Sequence, residues 1–165
     1  GKEKYAGAEE EMKELAEKGR VIREKLIADI QRDSSSFNLY MAALKMPKDT
    51  EEEKAARREA MQNGLKEAAK VPLSVAETAA EIFPLSEAAA ARGNANAVTD
   101  RLVSAMMART AVLSALLNVK INLSSIKDEA FRTAMESQVR RLEETASEYE
   151  RKILKSSDLS AEMLK

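Results

Sequence analysis

AVTDRLVSAMMARTAVLSALL, residues 97–117, places apolar or small side chains on nearly every side of a helix, with charge only at Asp100, Arg101 and Arg109. A helix that is apolar all round belongs in a core, so this segment is expected to be the most buried element. At 1.5 Å per residue it would be about 32 Å long, enough to cross a domain. Arg109 interrupts it short of the ~18 uncharged residues of a membrane span, which points to burial in protein. Arg92-Gly93-Asn94-Ala95-Asn96, just upstream, is the clearest loop, and Asn96 or Thr99 is the expected cap of the helix that follows.

Working outward, the N-terminal third carries Tyr5, Ala8, Met12, Leu15, Gly19, Ile22, Leu26 and Ile30 at spacings of three and four, one stripe on one helix face. The pattern continues through Phe37, Met41 and Leu44 to a stop at Met46-Pro47. Asp49-Thr50 followed by Glu51-Glu52-Glu53 has the polar cap and acidic first turn of a new helix, expected to run to about Lys70. Pro72 reads as the start of the next helix and Phe83-Pro84 as its break or kink. Past residue 117, Ser124 or Ser125 is the expected cap of a final amphipathic helix marked by Phe131, Met135, Val139, Leu142, Tyr149 and Ile153, with a polar tail from Ser156 expected to fray. The expected fold is therefore all-α: an antiparallel bundle of about five to six helices, several of them long, in one domain spanning 1–165.

Composition agrees and narrows the chemistry. Of 165 residues 28 are Ala and only six are aromatic, three Phe and three Tyr, the balance of a helical chain. Lys+Arg 27 against Asp+Glu 28 leaves a net charge of -1, so the broad positive field of a non-specific nucleic-acid binder is not expected, nor is a membrane partner. With no Cys and no His, disulfides, thiolate nucleophiles, Ser-His-Asp triads and His- or Cys-bound metals are excluded within the chain. Proton transfer near neutral pH falls to Asp, Glu, Lys, Tyr or water. The lack of cysteine fits a cytoplasmic chain.

Polar residues in an apolar helical chain are the informative ones, because burying an unpaired amide or carboxylate is costly. Asp33 with Ser34, Ser35, Ser36 and Asn38 reads either as a cap or kink in a long helix or as a working carboxyl. Asn94, Asn96 and Asp100 read as loop and N-cap chemistry or as ligand contacts. Asn118 and Asn122, spaced i, i+4, share a helix face if the helix continues, although a helix C-terminus also accounts for them. Arg57 and Arg58 with Lys54 form a solvated basic face that an anion could use. The eight Met are read as core filler.

At these residues the chain resembles the formiminotetrahydrofolate cyclodeaminases and their single-domain methenyltetrahydrofolate cyclohydrolase relatives. The matching pieces are Asp33 through Phe37, Ala43-Leu44-Lys45-Met46-Pro47-Lys48, Arg57, Val71-Pro72-Leu73, Gly93-Asn94-Ala95-Asn96 leading to Asp100, and Asn118-Val119-Lys120-Ile121-Asn122-Leu123, in order from about Gly1 to Ile153. Ser36 departs from the small apolar residue the family places before Phe37, and the family's small-residue segment upstream of this start is absent from the sequence. The resemblance implies an all-helical homodimer or higher assembly acting on a tetrahydrofolate derivative, with no metal and no permanently bound cofactor. It implies that Asp33 and then Asp100 carry the proton transfers, that Asn94, Asn96, Asn118 and Asn122 hold the pterin and amidine, and that Lys45, Lys48 or Arg57 hold the anionic glutamate tail. Cyclodeamination is the expected reaction, with the cyclohydrolase reaction and a non-catalytic helical module as alternatives.

Overall fold

The computed structural model describes residues 7–160, so Tyr5 at the head of the predicted stripe lies outside the described residues. Five α-helices follow one another: α1 (Glu9–Leu44), α2 (Glu51–Ala80), α3 (Ile82–Arg92), α4 (Val98–Leu123) and α5 (Glu129–Leu154), with a 3-10 turn at Ala95–Ala97. Only Glu81 parts α2 from α3, so the all-α bundle is built from four rods rather than the five to six helices expected. Contacts at opposite ends of each pair make neighbouring rods antiparallel: Ala68 and Ser86 of α2–α3 meet Asn122 and Ser104 of α4, while Arg109 and Lys120 of α4 reach Glu150 and Glu143 of α5.

Helix α4 is the central element, packed on α2, α3 and α5, and longer than expected because Asn118 and Asn122 remain helical. By length and apolarity it passes the test for a membrane-crossing helix, yet Leu102, Ala105, Ala108, Val112, Ala115, Leu116 and Val119 are buried against protein. The core runs from these residues to Ala69, Leu73, Ala76, Ala79 and Phe83 on α2–α3 and to Met135, Val139, Leu142 and Ala146 on α5. Neither Thr99 nor Asn96 caps α4: its N-cap is Ala97, without a side-chain bond, and Asn94 caps the 3-10 turn instead by accepting from the Asn96 N–H at 3.0 Å.

Helix α2 begins as expected. The Thr50 hydroxyl accepts from the Glu53 N–H at 3.1 Å and the Glu53 carboxylate accepts from the Thr50 N–H at 3.1 Å, a reciprocal capping box. It does not stop at Lys70 but runs through Pro72 to Ala80. Proline lacks the N–H that would satisfy the carbonyl four residues back, which is Ala68. The Asn122 side-chain amide of α4 donates to that carbonyl at 2.9 Å, so a neighbouring helix closes the gap and α2 continues. The break comes at Glu81, where Pro84 falls in the first turn of α3 and loses no intrahelical bond.

Helix α1 keeps its expected extent and, as far as Leu26, its expected face: Ile22 of the predicted stripe is buried and Met12, Leu15, Gly19 and Leu26 are half-buried, but beyond Leu26 the face changes. The buried residues are Ile22, Asp29, Ser36 and Ala43, spaced by seven, whereas Ile30, Phe37 and Met41 of the predicted stripe are exposed, Ile30 to 69% and Phe37 to 57%. Close approach explains the choice. A Cβ built on Gly64 of α2 would lie 2.9 Å from the Tyr40 Cα of α1, so the C-terminal end of this seam, where Ser36 and Ala43 are buried, takes small residues and the bulky Phe37 and Met41 turn outward. Ser34, Ser35 and Ser36 donate to the carbonyls of Ile30, Gln31 and Asp33, and α1 passes through them without a break.

The cap of α5 is Asp128 rather than Ser124 or Ser125, because its carboxylate accepts from the Phe131 N–H at 3.0 Å. The Lys66 ammonium, 2.7 Å away, and then that N–H hold the Asp128 carboxyl below its ordinary range. Gln62 holds the preceding loop from both sides, donating to the Ser125 carbonyl and accepting from the Lys127 N–H. As far as Ser160 the polar tail folds back instead of fraying: Ser160 is buried and its hydroxyl donates to the carbonyls of Leu154 and Ser157.

Candidate functional site

Two clefts hold some of the polar residues singled out in the sequence, Asp33, Ser34 and Asn118 in one and Asn94 and Asp100 in the other. The larger, about 450 Å³, lies between α1, α2 and α4. Its floor is Pro72, Val75 and Ala115, and its polar wall is Asp29, Asp33, Ser34 and Asn118. Asp29 and Asp33 are one turn apart, so both carboxyls belong to the same side of α1. Asp33 is exposed at the mouth, and its carboxyl makes no hydrogen bond or ion pair within the described residues. Asn118 faces it from α4, its Nδ2 only 3.4 Å from the Ser114 carbonyl. The volume lies within the ~300–1,000 Å³ range of small-molecule sites, and apolar flanks with a few convergent polar groups are their usual lining.

Asp29 is the residue that sequence reading missed. It is 2% exposed; Arg32 donates to its Oδ1, and its Oδ2 is buried without a hydrogen-bond partner. The available signal was the seven-residue spacing from Ile22 through Asp29 to Ser36 and Ala43, which places a carboxylate in a packed seam.

The smaller cleft, about 300 Å³, gathers Asn94, Asp100 and Arg101 near the start of α4, with Ser86 and Ser104 at its base. The two serine hydroxyls are 2.7 Å apart. Asp33 and Asp100, the two carboxyls expected to carry the proton transfers, thus line different clefts, and the remaining predicted residues are divided between these clefts and neither. Asn96 is exposed on the 3-10 turn and lines neither cleft. Asn122 is engaged with the backbone, bonding the Ala68 carbonyl at 2.9 Å and the Asn118 carbonyl at 3.0 Å. Arg57 donates to the Leu44 carbonyl at 3.2 Å, satisfying the C-terminal end of α1, and Lys45 and Lys48 stand exposed on the turn beyond it.

The geometry defines an all-α protein with an interhelical cleft where carboxylates meet an amide and a hydroxyl. Residues 1–141 match the family model described as formiminotransferase-cyclodeaminase. The chain belongs to that family. It is 38% identical over 131 residues to the methenyltetrahydrofolate cyclohydrolase of Methylorubrum extorquens, covering 79% of this chain and 63% of that protein. It is 40% identical over 125 residues to the formimidoyltransferase-cyclodeaminase of Gallus gallus, covering 76% of this chain and 23% of that protein. The crystal structure of formiminotetrahydrofolate cyclodeaminase from Thermotoga maritima superposes with a TM-score of 0.82 at 30% identity, over 94% of this chain and 73% of that one. The matched region is thus just under two thirds of the bacterial cyclohydrolase and about a quarter of the avian protein.

Proposed function

We propose that the chain acts in folate one-carbon metabolism as a formiminotetrahydrofolate cyclodeaminase, with the cleft between α1, α2 and α4 as its reaction site. The observation that carries this is the convergence of Asp33 and Asn118, from two different helices, on one cleft beside Asp29. The second folate nitrogen attacks the protonated formimino carbon and gives a tetrahedral adduct. Asp33 accepts the proton from that nitrogen and delivers it to the amino group, which leaves as ammonia while the methenyl bridge closes. A carboxyl at the mouth can make both transfers once the ligand covers it and excludes water. The Asn118 amide both donates and accepts, so it can follow the charge through the adduct. No metal or resident cofactor is required by this route, and no nucleic-acid or membrane partner; a chain without cysteine suits the cytoplasm.

The Methylorubrum relative supports a second reading in which water, rather than an amine, is exchanged at the same carbon. One assay separates the two. Purified protein mixed with formiminotetrahydrofolate is expected to release ammonia and to form the near-ultraviolet-absorbing methenyl product in equal amounts. Hydrolysis of the methenyl compound without ammonia release from the formimino compound would establish the cyclohydrolase instead. Turnover of neither would overturn both.

The same reading includes a homodimer. Ile27, Ile30, Phe37 and Met41 expose one side of α1, and Val103, Met107, Leu117 and Ile121 expose one side of α4. Apolar surface on two helices that flank α2 is the kind that a second copy covers. Sedimentation at micromolar concentration is expected to give about twice the 18.2 kDa of one chain, and a monomer would remove the dimer from the proposal.

A further inference from the structure

Among the described residues Asp29 is the one charged side chain that is fully buried, and it is only half satisfied. Arg32 donates to Oδ1 from the rim, while Oδ2 has no donor. A carboxylate has only acceptor sites, so an unmet oxygen in a packed wall is costly to keep. No donor lining the cleft bonds that oxygen. Pro72 has no N–H, Val75, Ala111 and Ala115 bring hydrocarbon, the Ser34 hydroxyl donates to the Ile30 carbonyl, the Asn118 amide is directed at the Ser114 carbonyl, and the Ser114 hydroxyl, also in the lining, makes no bond to Asp29. What the wall lacks is a hydrogen-bond donor from outside the chain.

We infer that Asp29 recognises the ligand in this cleft, its Oδ2 accepting a hydrogen bond from the 2-amino-4-oxopyrimidine edge of the pterin. This rests on the folate reading above and deepens it. That edge carries an exocyclic amine beside a ring N–H, two donors in one plane on a flat ring. With so little of Asp29 exposed, its partner must be a flat edge pressed against the wall rather than a hydrated ion, and Leu26, Ile30, Pro72 and Val75 give the ring apolar faces to lie on. Asp29 and Asp33 are separated by about 6 Å along the helix axis, comparable with the width of a bicyclic pterin. Recognition at Asp29 therefore leaves Asp33 beside the reacting nitrogens, and the two carboxyls divide binding from proton transfer.

The test measures affinity for 5-formyltetrahydrofolate, a stable reduced folate, and for its 2-desamino analogue. The wild-type chain is expected to favour the amino ligand by about 10- to 100-fold, the range of a hydrogen bond to a charged group. Asp29→Asn presents an amide in place of the carboxylate. It should lose that preference and raise KM for the formimino substrate by a similar factor, with kcat changed only a few-fold. Asp29→Ala gives the same reading if the amide variant melts below the assay temperature. A preference retained in either variant overturns the inference, as does a wild-type chain that binds both ligands equally; in both cases the folate reading stands. Binding of neither ligand by the wild-type chain removes the folate reading and the inference together.

Discussion

Asp33→Asn is expected to lower kcat for formiminotetrahydrofolate by at least about 100-fold while leaving the helical spectrum and melting temperature unchanged. Positioned acid–base groups typically contribute ~10²–10⁴-fold, and an amide of the same shape cannot accept and return a proton. Asp33 is exposed and its carboxyl is bonded to nothing else in the described chain, so folding does not depend on its charge. Surface changes of this kind generally stay within about 0.5 kcal/mol. The near-ultraviolet assay reads the first expectation and a circular-dichroism melt the second. Retained turnover would take Asp33 out of the mechanism and leave Asp100, in the smaller cleft, as the carboxyl to test by the same substitution.

Phe83→Ala should cost about 3–5 kcal/mol, the range for removing a fully buried aromatic side chain. Phe83 is 0% exposed and stacks on Tyr149 of α5, with ring centroids 5.4 Å apart and planes 17° from parallel. It lies two residues past the Glu81 bend, where the chain leaves α2 for α3, so its ring joins the bent rod to α5 at the point of the bend. Stacked rings add about 0.5–1.5 kcal/mol beyond area burial. Against a total stability of ~5–15 kcal/mol the loss is large enough to show as a much lower urea midpoint at unchanged slope. A shift equivalent to less than about 1 kcal/mol would show that the bend does not depend on this ring.

What the sequence made legible, and what it hid, follows from where each signal acts. Helix α5 was readable because Met135, Val139, Leu142 and Ala146 are apolar, buried and regularly spaced. The start of α2 was readable because Thr50 and Glu53 act locally. Pro72 misled because the donor that rescues the helix comes from Asn122, 50 positions away in the chain. The C-terminal half of α1 misled because size rather than apolarity selects its buried face there, and Ser36, Ala43 and Gly64 carry little hydrophobic signal. Asp29 was hidden for the same reason: a carboxylate in a seam looks like a surface residue until the seven-residue period is traced. Asp33 and Asn118 were both named from sequence, but their meeting across one cleft depends on α1 and α4 flanking α2.

The bond from Asn122 to the Ala68 carbonyl also limits how the protein can move. Sliding α4 along α2 by a single residue would strand that carbonyl with no donor, since Pro72 cannot take over. A stranded buried carbonyl costs about 1–3 kcal/mol, so shear between these two helices carries a toll at its first step. The floor of the larger cleft therefore behaves as a fixed rail, holding Pro72 of α2 and Asn118 of α4 in one register.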